Sequence, residues 1–112
     1  MTGTRLSRRS ALAGLAGLLS LGGGVARAHG TEHRIVIDKM KFGPAPEGLH
    51  VGDSILWVNA DILRHTATAR DGSFDVDLKP GDEAAIHLDK AGEIEVFCRF
   101  HPGMKLMLTV AG

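Results

Sequence analysis

The stretch Gly92-Glu93-Ile94-Glu95-Val96-Phe97-Cys98, then Arg99-Phe100-His101-Pro102-Gly103-Met104, then Lys105-Leu106-Met107-Leu108-Thr109-Val110 reads as two extended segments joined by a tight reversal. In the first segment Ile94, Val96 and Cys98 alternate with Glu93, Glu95 and Phe97, so a strand places the apolar residues and the cysteine on one face. In the second, Leu106, Leu108 and Val110 share a face, and Met107 on the other side makes the alternation imperfect. Pro102-Gly103 closes the reversal.

Outward from this hairpin the same grammar recurs. Gly43-Pro44, Val51-Gly52-Asp53, Asp71-Gly72, Lys79-Pro80-Gly81-Asp82 and Lys90-Ala91-Gly92 are turn signals between short segments rich in alternating or β-branched residues. Strands are expected near 33–38, 48–51, 54–59, 65–70, 83–88, 92–98 and 105–111. No span is left for a helical crossover, and the fold class is all-β, a sandwich of about seven to eight strands. Trp57 and Phe74 are expected in the core, with Met40 and Met107 as core filler.

The reversal carries chemistry as well as a turn. Cys98, His101 and Met104 set a thiolate, an imidazole and a thioether at three-residue intervals, and His65 stands upstream at the start of an alternating run. Sulfur donors favour copper over hard cations, and two histidines and a cysteine with a distant axial methionine describe a blue copper centre. A zinc site would take another cysteine or a carboxylate in place of Met104. The predicted metal ligands are therefore His65, Cys98, His101 and Met104, and the chain reads as an electron carrier with no catalytic residue.

The first 28 residues read as a cleaved signal peptide. Arg5, Arg8 and Arg9 precede an apolar run from Ala11 to Leu21, and Ala26-Arg27-Ala28 supplies small residues for cleavage. The run is too short to span a bilayer. Ser7-Arg8-Arg9-Ser10-Ala11-Leu12, with Gly14 and Gly17 diluting the run and Arg27 near the cut, points to twin-arginine export; the general secretory route is the alternative. Residues 29–112 then form one small exported domain, expected in the periplasm, not inserted in a membrane. All 13 acidic residues but only nine of the 13 basic ones lie in it, a formal charge of −4 that disfavours nucleic acid as a partner. A single cysteine excludes an internal disulfide, and an unpaired thiol in an oxidising compartment is accounted for by ligation. Cleavage after Ala28 makes His29 the new N-terminus, where with His33 it either chelates a second copper ion or is an incidental feature of a loose end. His50 and His87 have no donor beside them and are read as structural or exposed.

Trp57-Val58-Asn59-Ala60-Asp61, His65-Thr66-Ala67-Thr68, Gly72-Ser73-Phe74-Asp75, Gly92 and Cys98-Arg99-Phe100-His101-Pro102-Gly103-Met104-Lys105 resemble the cupredoxins of the plastocyanin and azurin superfamily, and most of all the amicyanin-like blue copper proteins, which have two residues between successive donors of the ligand loop. Ile35-Val36-Ile37 and Phe42-Gly43-Pro44 extend the resemblance over nearly all of residues 33–110. It implies a Greek-key sandwich with one type 1 copper ion near one end, bound by His65, Cys98, His101 and, weakly, Met104. It further implies a monomeric shuttle of single electrons between redox protein partners, docking near Phe100, Pro102 and Gly103. Asp71, Asp75 and Asp77 either steer a basic partner or only solvate a loop.

Departures from the pattern are specific. The residue after the first ligand histidine, often asparagine in this family, is Thr66, whose hydroxyl is left to tie the ligand loops together. Ile94 and Val96 stand where tyrosines are common, and Leu106 stands where a glycine is frequent. Other functions compete. A copper delivery or sequestration protein uses the same donors, whereas a multicopper oxidase needs histidines flanking the cysteine in place of Phe97 and Arg99, and a binuclear copper domain needs a second cysteine.

Overall fold

Alternation of buried and half-buried residues builds the first strong element of the sandwich: Ile55, Trp57 and Asn59 point inward from Ser54–Asn59. The structure, a computed structural model, describes residues 30–112. The expected signal peptide and His29 lie outside the described residues. Among the described residues there are nine strands: β1 (Glu32–Asp38), β2 (Lys41–Phe42), β3 (Leu49–His50), β4 (Ser54–Asn59), β5 (His65–Ala69), β6 (Asp75–Leu78), β7 (Glu83–His87), β8 (Gly92–Phe97) and β9 (Lys105–Ala111). They form a five-stranded sheet in the order β3-β9-β8-β5-β6 and a four-stranded sheet in the order β2-β1-β4-β7. Consecutive strands β4 and β5, β6 and β7, and β7 and β8 lie in different sheets, so the connections cross from layer to layer. No helix among the described residues is long and apolar enough to cross a membrane.

The quoted hairpin folds as read. β8 and β9 pair antiparallel with Phe97 opposite Lys105, and Ile94, Val96, Cys98, Leu108 and Val110 are buried. Facing them from the other sheet are Ile35, Ile37, Ile55 and Trp57. Trp57 is fully buried, in a T-shaped contact with Phe42 at 5.8 Å and a tilted one with Phe74 at 6.0 Å between ring centres.

Two strands were not anticipated. β2 has two residues, too few for any period to register, and β6 (Asp75-Val76-Asp77-Leu78) hides its alternation under two aspartates. Both methionines expected in the core are exposed instead: Met40 sits at the tip of the β1–β2 turn, and Met107 on the outer face of β9. That turn places Lys39 and Met40 at φ 52° and 64°, a conformation two-residue hairpins demand and L side chains resist. At the opposite end, Gly30 lets the chain run so close to Gly52 that the Gly52 carbonyl would clash with any Cβ placed there.

Candidate metal centre

The three-residue interval between donors is the hydrogen-bonding interval of a β-turn, and the loop uses it twice. His101 N–H donates to the Cys98 carbonyl at 3.3 Å, and Met104 N–H donates to the His101 carbonyl at 2.8 Å. Cys98 N–H then donates across the loop to the Met104 carbonyl at 3.2 Å. Cys98, His101 and Met104 are thus the corners of two consecutive turns pinned at the base. Met104 is buried and His101 is partly exposed.

His65 enters from the neighbouring strand. β5 pairs antiparallel with β8, Thr68 opposite Phe97, and two residues further along this register Thr66 comes against the Cys98–Arg99 peptide. His65 Nδ1 and His101 Nδ1 lie 3.8 and 3.6 Å from Cys98 Sγ. One donor atom from each of the three residues falls within 4.8 Å of the others, and among the described residues no other group of three His, Cys, Asp or Glu donors does so. The two imidazole rings are 5.0 Å apart and tilted by 57°. A buried thiol ringed by two imidazole nitrogens is the donor chemistry of a single type 1 copper ion, and the residues present fit it.

Electrostatics prepare the thiol for a cation. Burial pushes the Cys98 thiol up, but the Thr66 amide, which donates to Sγ at 3.4 Å, and the rings of His65 and His101 outweigh it and bring it down to about 6. The shift favours the thiolate at neutral pH.

Asp61, which sequence reasoning did not single out as a site residue, supports His65 from behind. Its carboxylate accepts His65 Nε2–H at 2.8 Å, Met40 N–H at 3.0 Å and Ile62 N–H at 2.7 Å. The hydrogen bond from His65 leads the interactions that hold Asp61 down from 3.8 to about 2. An ionised carboxylate only accepts, so Nε2 donates to it and Nδ1 is left on the Cys98 side, where it hydrogen-bonds the thiolate when protonated and offers its lone pair to a cation when not. Burial lowers the proton affinity of His65, yet Asp61 and Cys98 together raise it above the ordinary value. Asn59 shapes the loop between β4 and β5: its Nδ2 donates to the Leu63 and Leu78 carbonyls at 2.8 and 2.9 Å, and its Oδ1 accepts Asp61 N–H at 2.9 Å. A carboxylate four residues before a candidate ligand histidine was the one available signal for Asp61.

The expected stand-in for asparagine is in place, since Thr66 Oγ1 accepts Arg99 N–H at 2.8 Å. The acidic trio is not a free patch. Asp77 takes both Nε and Nη2 of Arg64 at 2.8 and 2.7 Å, Asp75 faces Arg99 at 3.3 Å and Asp71 faces Lys90 at 3.2 Å. Phe100 is 44% exposed, with the guanidinium groups of Arg64 and Arg99 both near its ring, and Ile62 and Leu63 add exposed apolar surface from the β4–β5 loop. His33 Nε2 is engaged by Asp53 at 2.9 Å, while His50 and His87 are exposed.

The sequence pattern of the Cupredoxin-like domain matches residues 11–110. Amicyanin of Paracoccus versutus is 29% identical over 75 residues, covering 62% of this chain and 57% of that relative, a little over half its length. A solved structure of amicyanin from Paracoccus versutus is similar at TM-score 0.60 and 25% identity, over 70% of this chain and 80% of that one. A purple cupredoxin from Nitrosopumilus maritimus is similar in fold at TM-score 0.63 and 22% identity, over 70% of this chain and 99% of that one.

Proposed function

The chain belongs to the cupredoxin family, and from that membership we propose that it is an exported, non-enzymatic carrier of single electrons in the periplasm. His65, Cys98 and His101 would hold one copper ion through Nδ1, Sγ and Nδ1, with Met104 as a weak fourth donor. When bound, copper would supply one-electron exchange between its cuprous and cupric states. The chain's part is to keep the donors in one arrangement for both. The observation that carries the reading is the convergence of three donor atoms within 4.8 Å from a strand start and a two-turn loop, with an amide already aimed at the sulfur.

Partly exposed His101 is the port for electrons, and redox partners dock on the apolar rim of Phe100, Pro102 and Gly103, widened by Ile62 and Leu63. Because Asp71, Asp75 and Asp77 are each paired with a basic side chain, docking relies on this apolar contact more than on net charge at the rim. The leader at residues 1–28 delivers the domain by the twin-arginine route. Copper delivery, the competing function, requires ready release of the ion, whereas Cys98 and His65 are fully buried in the frame that holds them.

The test is the optical and electron paramagnetic resonance spectrum of the copper-loaded protein. An intense visible thiolate-to-copper band that Cys98→Ala abolishes is expected, together with slow loss of copper to a chelator. Colour retained in Cys98→Ala would overturn the ligand assignment, and fast transfer with no reversible redox step would favour delivery.

A further inference from the structure

Thr66 is one link of a longer chain. A hydroxyl has a single proton, and that of Thr68 is donated to Asp75 Oδ1 at 2.8 Å. The 2.9 Å contact between the hydroxyls of Thr66 and Thr68 must therefore run from Thr66 to Thr68. Thr66 Oγ1 in turn accepts the Arg99 amide at 2.8 Å, and Arg99 Nε reaches Asp75 Oδ1 at 3.3 Å. The path leaves the Arg99 backbone and returns to the Arg99 side chain, closing a ring. Strand geometry makes this possible. Thr66 and Thr68 share the face of β5 opposite that of His65, and Asp75 lies across from Thr68 in the β5–β6 register.

The ring ends on a full charge. A carboxylate at the end of two aligned hydroxyls polarises both and makes Thr66 Oγ1 a stronger acceptor for the amide it holds. That amide adjoins Cys98, and the backbone N–H of the same Thr66 donates to Cys98 Sγ at 3.4 Å. We propose that Thr68 and Asp75 are positioning residues for the metal centre: acting through Thr66, they fix the Arg99 peptide and with it the place and surroundings of the Cys98 sulfur. The proposal rests on the copper reading of this site. Asp75 and Arg99 are both well exposed, and an ion pair so exposed adds little to stability, so a merely structural role would leave the sulfur's surroundings unmoved.

The variants are Thr66→Val, Thr68→Val and Asp75→Asn, with Thr66→Ser as the conservative rescue. Two quantities are read: hydrogen exchange of the Arg99 amide in the metal-free protein, and the reduction potential and visible band of the copper-loaded protein. Thr66→Val is expected to speed Arg99 exchange about five- to tenfold, the factor set by one lost hydrogen bond. Thr68→Val and Asp75→Asn shift exchange the same way by less, the potential moves in the same order, and Thr66→Ser restores both. Asp75→Asn changes an exposed residue and does not threaten the core, so it keeps the test decisive should a valine variant misfold. Wild-type exchange and potential in Asp75→Asn and Thr68→Val, with the visible band present, would overturn the relay alone. Absence of the band from the unaltered protein would overturn the copper reading and this proposal with it.

Discussion

The two ends of β4 carry the same chemical unit put to different uses. Before its first residue, Asp53 accepts His33 Nε2 at 2.9 Å and the amides of Thr31 and His50 at 3.0 Å each. Beyond its last, Asp61 accepts His65 Nε2 at 2.8 Å and the amides of Met40 and Ile62 at 3.0 and 2.7 Å. Both carboxylates are held at about 2, Asp53 chiefly by the Thr31 amide and Asp61 chiefly by His65. What separates them is the far side of the imidazole. His65 Nδ1 faces a buried thiolate, whereas among the described residues no third donor joins His33 and Asp53. One pair fastens a strand, and the other orients a proposed metal ligand.

If that contrast holds, the largest effect comes from breaking the fastener. Asp53→Ala strands two backbone donors and a ring N–H, costing about 2 to 4 kcal/mol of stability, and leaves the visible copper band at its wild-type position. Denaturant unfolding and a spectrum check both halves. Asp61→Ala is expected to do what Asp53→Ala does not, weakening copper affinity about 10- to 100-fold by freeing the ring behind its metal-facing nitrogen. Competition with a chelator of known affinity measures this, and equal affinities in the two variants would erase the distinction.

Acid sharpens the comparison further. Each carboxylate is depressed on folding, so its contribution is complete above its ordinary 3.8 and is lost as pH falls toward about 2. Thermal unfolding should show stability dropping through that window, and Asp53→Asn should flatten part of the drop without touching the Asp61 share. The smallest effect lies in the turn that leans on Asp61. Met40→Gly relieves a φ of 64° and should stabilise the protein by about 0.5 to 1 kcal/mol, since only glycine takes that region freely. The Met40 amide still donates to Asp61, so copper affinity is expected to stay constant in the same competition assay.

Much of this was legible from local pattern. Alternation in β8 and β9 placed Ile94, Val96, Cys98, Leu108 and Val110 on the core side, and Pro102-Gly103 located the reversal. The donors of the loop announced themselves because a β-turn repeats at the interval of their spacing. β2 escaped because two residues carry no period, and β6 because aspartates broke its pattern. Met40 and Met107 were misplaced because hydrophobicity alone does not tell which face of a strand, or which end of a turn, a side chain meets.

Period and turn chemistry, which operate between near neighbours in the chain, were enough to declare an all-β fold and to single out a loop of candidate copper donors. Only tertiary structure decided that Asp61 backs His65, that Asp75 reaches Arg99 across two threonines, and that the three nearby aspartates are neutralised by partners. Except for Asp61 and His65 and the two threonines themselves, those partners stand 7 to 33 residues apart along the chain, and a hydrogen bond between them exists only after neighbouring strands have set their register.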